Sequence, residues 1–574
     1  MAVDRSITKS SSAEYFSKNL QQVGFSSYTK ATLTTVKEAI DNSLDACEDY
    51  GILPEISVEV TRLGAGGAKG ADLIKVIITD NGPGLTLEDA VNVFGQYLAS
   101  SKFGRGRCSR GQQGIGISAV TTWSQLTNGT GAVVITKTQK MKQAVKAEII
   151  VDIKKNKGAI KNKQTVDWDR ETGVSCEFVM DARVQLNGDA GLITYLQGTT
   201  LVNPHLTLRH KLLDNEEVII ERVTEFVPKI PDRTSPHPHT MKLGEFLAHS
   251  HLFGKTTVRK WLKDGFSRIS DHVIGEMVKQ GASAAWFRKS LSTLKEDELK
   301  QIYAALQKVK LMAPPTKSVM SIGESDMAKS IQRLGEIDFF SVMSRKPTIC
   351  DFKPVQVEVA IARLKEKTSD AKEGPVQVLR FANRVPLQFD KAACAMSKAI
   401  ESVNWRPYGL TQPKKTLPHG PYIFAVSVVS PFIKFKNASK ETVDASDELV
   451  DEIRRTLQQC GQRLSAHIKR ELKAADVERK LQHIEQFAPI LVEGLCRITS
   501  AKKGRKEKAM KGLDKILGRD TKEAEKEFKQ AHNKSRDVAK KMAAKLDISH
   551  DKLHDKMHGV PEAEPVKGQL DLLD

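Results

Sequence analysis

TKATLTTVKEAIDNSLDACEDYG, residues 29–51, decides the fold through its spacing. At 3.6 residues per turn, a helix over Thr29–Tyr50 puts Val36, Ile40, Leu44 and Cys47 on one side and Glu38, Asp41, Asn42 and Asp45 on the other. Gly51 is its stop. Glu38 and Asn42, four residues apart, share a face. On that face the carboxylate could take a proton from water, and the amide oxygen could hold a hard cation. A solvated polar helix face is the other reading of this stretch taken by itself.

On the N-terminal side, Ser11 and Glu14 stand at capping-box spacing and open a short helix over Glu14–Val23, with Gly24 as its stop. On the C-terminal side, the alternating runs EISVEVTR (55–62) and LIKVIITD (73–80) flank a glycine-rich connector and read as a hairpin. Strand-like runs recur at 132–137, 147–153 and 174–180. Helices on one face of a mixed sheet, an α+β layer, is the expected architecture.

Two glycine motifs sit within this region. DNGPG (80–84) closes the second alternating run, so that an acidic residue at a strand end is followed by Gly82 and Gly84, which let a ligand approach the backbone. The Asp80 carboxylate can accept from an exocyclic amine such as that of adenine, and an ordinary turn is the alternative. RGQQGIGISA (110–119) puts three glycines ahead of a helix beginning near Ser118, where backbone N–H groups can meet a phosphate chain. It lacks the GK[ST] ending of a Walker A loop, and no strand leads into it as in a Rossmann fingerprint.

Beyond the Pro- and His-rich stretch at 228–238, residues 241–310 read as helical with no strand pattern. Strand patterns return at 355–362, 375–387 and 422–430, and a very long helix is expected from about Asp444 to Thr499. Residues 501–550 hold 16 Lys/Arg against 8 Asp/Glu. With 574 residues the chain exceeds one core, so two to four domains are expected. Its 89 Lys/Arg against 70 Asp/Glu give a formal charge of +19, which suits a polyanionic partner. The seven cysteines are scattered and never spaced as CxxC, against both a disulfide framework and a structural zinc site. No run of eighteen apolar residues and no secretory pattern occur, so the sequence predicts no membrane span and an intracellular protein.

In combination the three motifs are similar to the nucleotide site of the GHKL ATPases, the superfamily of gyrase B, the mismatch-repair ATPases, the heat-shock chaperone ATPases and the sensor histidine kinases. Within it, SSKFGRGRCSRGQQGIGISA (100–119), NPHLTL (203–208), PHPH (236–239), LMAPPTKS (311–318), VLRFANRVPL (378–387) and ESVNWRPYGLTQPKKTLPHGP (401–421) resemble the topoisomerase VI B-subunit family, over roughly residues 10–498. The resemblance implies an α+β multidomain chain. It would comprise an N-terminal arm (1–28), a Bergerat-fold GHKL ATPase α/β sandwich (29–228), a helix-two-turns-helix domain (229–312), and a ribosomal-S5-like α/β transducer with a long stalk helix (313–499). The basic helical extension and acidic tail (500–574) lie outside the resemblance.

The same resemblance implies ATP and Mg²⁺ as cofactors, with Glu38 as general base and Asn42 as the Mg²⁺ ligand. Asp80, with Gly82 and Gly84, would receive adenine. Ser101 and Lys102 match a further nucleotide contact. Gly111, Gln112, Gln113, Gly114, Ile115, Gly116, Ile117 and Ser118 match the phosphate-binding lid. Lys414, or its neighbour Lys415, matches a lysine reaching from the transducer to the γ-phosphate. The implied function is the ATP-hydrolysing component of a type IIB DNA topoisomerase, cytoplasmic and nucleoid-associated. It would pair with a second copy on binding ATP, cross arms with it, and close a gate on a duplex contacted at its phosphates. An A subunit in an A2B2 assembly would cut the other duplex. Mismatch-repair-type and chaperone-type ATPases are the competing readings. The helical stretch 241–310 separates this chain from the first, and indifference to DNA would mark the second.

Overall fold

The computed structural model describes residues 10–512 except 101, 103–105, 112, 189, 366–373, 415, 438, 501–503, 506 and 510. Ser101, Gln112, Lys415, the start of the arm and the tail beyond 512 therefore lie outside the described residues.

Helix α1 (Ser12–Lys18) begins at Ser11, whose Oγ accepts from Glu14 N at 3.0 Å. The single helix expected over 14–23 is instead broken at Asn19 into α1 and a 3-10 turn, closed by Gly24 at φ +103°. Helix α2 (Tyr28–Asp49) follows, capped by Ser27. An eight-stranded sheet is built from β1 (Glu55–Ala65), β2 (Asp72–Thr79), β3 (Ala132–Lys137), β4 (Ala144–Asp152), β5 (Lys157–Val166), β6 (Gly173–Ala182), β7 (Thr207–Leu212) and β8 (Val218–Ile220). Its order is β5-β4-β3-β6-β2-β1-β7-β8, with β1 and β7 parallel and every other pair antiparallel. Helices α2, α3 (Leu87–Gly95) and α4 (Gly116–Asn128) pack against it, and α5 (Leu192–Val202) leads into β7. Val36, Ile40 and Leu44 are fully buried against Val58, Val76 and Ile78, as the spacing of α2 requires. Each such side chain removed from water contributes about 1.5–3 kcal/mol.

Helices α6 (Leu243–His251), α7 (Val258–Gly265), α8 (Asp271–Lys279) and α9 (Glu296–Lys308) form a separate core around Phe246, Trp261, Met277 and Ile302. After α10 (Glu324–Ile331) comes a second sheet of β9 (Ile337–Ser344), β10 (Thr348–Cys350), β11 (Lys353–Leu364), β12 (Gln377–Ala382), β13 (Val385–Leu387) and β14 (Tyr422–Val429). This sheet is covered on both sides. One core joins it to α11 (Ala395–Ser402) and to the first turns of α12 (Asp447–Ile498), and the other joins it to α10 and the end of α5. The run 375–387 is not one strand, because Asn383 (φ +49°) and Arg384 (φ +65°) turn it into the β12–β13 hairpin. Among the described residues no helix is long and apolar enough to cross a membrane.

Candidate active site

Helix α2 presents Glu38, Asn42 and Asp45 on successive turns toward the segment before α4. Between them lies a cavity of about 120 Å³ lined by Glu38, Asn42, Lys102, Gly111, Gln113 and the residues Gly114 to Ile117. Two glycines fix its shape. A Cβ on Gly116, the first residue of α4, would stand 1.8 Å from Glu38 Oε2, so only glycine lets the helix start against that carboxylate. Gly114 adopts φ +61°, and a Cβ there would meet Ala99 O at 2.8 Å. Ile115 gives α4 no side-chain cap. Among the described residues, the first N–H groups of α4 are therefore free of a side-chain partner where an anion would need them.

The positive side of the cavity is held in place by buried acids. Lys102 Nζ meets Asp45 Oδ2 at 2.5 Å, and the same carboxylate accepts from Arg110 Nη1 at 2.8 Å and from Gly111 N at 3.3 Å. Burial pushes the Asp45 carboxyl up, but the cations of Lys102 and Arg110 outweigh it and hold it below the usual range. Asp41, one turn before Asp45 and without an ion-pair partner among the described residues, is raised by burial to about 7, against the weaker pull of Lys37 and Arg110. Nothing among the described residues hydrogen-bonds the Asn42 side chain, whose Oδ1 faces Gly111 across the cavity wall. An amide oxygen without a partner among the described residues, beside the N-terminus of a helix, suits Mg²⁺, which takes few protein ligands and keeps phosphates and waters for the rest.

Asp80 sits at the end of β2 with both oxygens engaged. Oδ2 accepts from Ser43 Oγ at 2.6 Å, and Oδ1 accepts from Gly82 N at 2.9 Å and Val174 N at 3.0 Å. Burial raises its pKa, against those hydrogen bonds. It is tied to α2 through Ser43, the neighbour of Asn42. Asp80, Gly82, Gly84 and Ser118 do not line the cavity: Asp80 is turned inward, Gly84 packs on Lys137 O, and the Ser118 hydroxyl donates to Ile115 O at 3.0 Å.

The cation that the structure brings to the cavity is not the one expected from the sequence. Lys414 is exposed and lines no part of the cavity; Lys440, in the loop between β14 and α12, lines it together with Ser439. Lys440 has left-handed backbone (φ +54°), and its Nζ donates to Arg110 O at 2.8 Å. Burial lowers its pKa, and Glu38 is the largest influence raising it. The same loop reaches α2 through Lys30–Glu441 at 2.8 Å and through Lys37 Nζ to Ser439 O at 3.4 Å. In the sequence, FKNASKE (435–441) reads as a polar surface loop, and no motif marks its lysine.

Residues 314–480 match the family described as "Topoisomerase VI B subunit, transducer", and residues 30–157 match "Histidine kinase-, DNA gyrase B-, and HSP90-like ATPase". The chain is 33% identical over 507 residues to the B subunit of type 2 DNA topoisomerase 6 from Archaeoglobus fulgidus, covering 88% of this chain and 81% of that one. It is 34% identical over 484 residues to the protein of the same name from Methanococcoides burtonii, covering 84% and 76%. The protein of that name from Pyrococcus furiosus is 29% identical over 532 residues, covering 85% and 91%.

Proposed function

The chain belongs to the topoisomerase VI B-subunit family, and we propose that it works as the ATP-hydrolysing clamp of a type IIB DNA topoisomerase through the cavity between α2 and α4. The observation that carries this is the Glu38 carboxylate seated against Gly116, with the uncapped start of α4 and two lysines around the same space. Lys102 and the α4 N–H groups hold the phosphates, and Glu38 takes the proton of the attacking water. Lys440 meets the charge that builds on the terminal phosphate. Asn42 would hold Mg²⁺, which neutralises charge on the phosphates when bound. Asp80 accepts from the adenine amine. Ser101 is a further nucleotide contact, and Gln112 belongs to the phosphate-binding stretch.

Nucleotide drives the cycle only through a higher affinity for the paired, closed state of two chains. Residues 29–228, 229–312 and 313–499 act as ATPase, helix-two-turns-helix and transducer domains, and the N-terminal arm (1–28) crosses to the second copy. DNA is held at its phosphates, without sequence preference, in the cytoplasm at the nucleoid. Strand cleavage belongs to an A subunit in an A2B2 assembly. Phe487, Ile490, Leu491, Leu495 and Ile498, all exposed at helical spacing near the end of α12, offer that partner an apolar stripe. The four helices α6–α9 between the two sheets favour this reading over a mismatch-repair ATPase. The test is the mass of the purified chain with and without a non-hydrolysable ATP analogue and Mg²⁺. Doubling on addition is expected, and a chain that stays single and binds no analogue overturns the reading.

A further inference from the structure

One helical turn beyond Asp45, a second charge cluster is buried between the two sheets. Glu48 is 5% exposed, and its Oε1 accepts from Arg110 Nη2 at 2.7 Å, from His205 Nε2 at 2.9 Å and from Arg384 Nη2, while Oε2 accepts from Arg110 Nη1 at 2.9 Å. Asn203 Oδ1 accepts from both guanidiniums, at 2.5 Å from Arg110 and 2.8 Å from Arg384. Burial pushes the Glu48 carboxyl up, and Arg110 and Arg384 overcome it, holding it well below the carboxylate range.

Arg384 is an expensive residue at this position. It is 3% exposed, it carries a charge, and it holds left-handed backbone in a two-residue turn that favours glycine there. Its turn is pinned to β14 by Asn383 N donating to Val428 O at 2.9 Å, and by Ser430 N donating to Asn383 Oδ1 at 2.9 Å. Strand β12 pairs directly with β14, and the loop after β14 carries Lys440. Arg384, in the β12–β13 turn, and Lys440, in the loop after β14, thus extend from one sheet and converge on one residue, Arg110. Arg384 reaches the Arg110 side chain through Glu48 and Asn203, and Lys440 reaches its carbonyl directly.

We propose that Arg384 is a positioning residue for ATP hydrolysis: by gripping Glu48 and Asn203 it sets the distance from which Lys440 enters the nucleotide cavity. The proposal rests on Lys440 as the phosphate-facing cation. Without the grip, the second sheet docks on α2 through its outer contacts alone, and Lys440 meets the phosphate out of register, whereas the binding elements on α2 and α4 are untouched. The loss therefore falls on turnover and spares nucleotide affinity.

The experiment uses the full chain assembled with its A subunit and DNA, and measures kcat and KM for ATP, affinity for a non-hydrolysable analogue, and Tm. Arg384→Ala is expected to lower kcat about 10-fold with KM and analogue affinity within about 2-fold, because misplacing a reacting group costs rate more than binding. Arg384→Lys, which can still reach Glu48, should recover part of the rate. Adding Arg384→Ala to Lys440→Ala should cost no further rate, since the two act through one contact. Should Arg384→Ala not fold, Arg384→Lys carries the same test, with a smaller fall in kcat that vanishes in the Lys440→Ala background. Unchanged kcat, a parallel fall in affinity and Tm, or independent losses in the double variant each overturn the proposal. A normal rate in Lys440→Ala alone overturns instead the reading on which it rests.

Discussion

Gly116→Ala separates stability from activity at one atom. The added Cβ would lie 1.8 Å from Glu38 Oε2 and 2.2 Å from Cδ, and real Cβ atoms essentially never come closer than 3.0 Å to another heavy atom. Glu38 is a flexible side chain, so the clash is relieved by the carboxylate retreating about 1.2 Å, the gap between those distances. A displacement of that size at a reacting group costs about 100-fold, within the 10²–10⁴-fold range of general-base catalysis. The fold should hold, since Gly116 has ordinary helical backbone and alanine is favoured over glycine in a helix by up to about 1 kcal/mol. Steady-state ATP hydrolysis, analogue binding and thermal melting read the three quantities separately. The expected result is kcat down about 100-fold, binding within a few-fold and Tm unchanged or raised. Hydrolysis at the wild-type rate in a folded variant would refute Glu38 as the base and the tight seating of α4 on it.

Lys440→Ala should lower kcat by about 10- to 1,000-fold while Lys414→Ala leaves it within 2-fold; the reverse ranking in a hydrolysis assay would restore the reading from sequence. Asn42→Ala should abolish the Mg²⁺ dependence of analogue binding, measured by titration with and without the metal, and an unaltered dependence would remove the metal role. Burial lowers the pKa of His205 to about 4, so the folded chain keeps it neutral while the unfolded chain protonates it near 6.5. That contribution is present in full above pH 6.5 and is lost as pH falls toward 4, up to about 3 kcal/mol. Asp41, raised to about 7, works in the opposite direction over an overlapping window. The comparison is therefore of His205→Gln with wild type: the variant's unfolding free energy should fall less steeply between pH 6.5 and 4, and identical slopes would contradict the assignment.

What could be read from sequence follows from what each element packs against. Helix α2 was legible because one side meets a sheet and the other a cavity, so its apolar and polar residues separate at helical spacing. Strands β1 and β2 alternate for the same reason. Strand β5 (KGAIKNKQTV) was not expected, since an exposed edge strand has no buried side to impose alternation. Strand β9 (IDFFSVMS) is buried nearly throughout between two layers and also lacks a period of two. The β12–β13 turn was hidden because arginine is not a turn residue, and it is held there by a partner more than 300 positions away in sequence. Beside the cavity, the motifs located α2 and the glycine-bearing start of α4, the parts built from local chain. Lys440 depends on how the second sheet docks, which no local spacing encodes.

ATP turnover in this chain should drive duplex passage through a break made by a different polypeptide. The direct measurement is relaxation of a single supercoiled topoisomer by the chain with its A subunit, Mg²⁺ and ATP, beside the chain alone and beside Glu38→Ala. Linking-number changes in steps of two are predicted for the complete mixture, none for the chain alone, and no repeated cycles for the variant. Steps of one, relaxation without the A subunit, or full activity without ATP would contradict that mechanism.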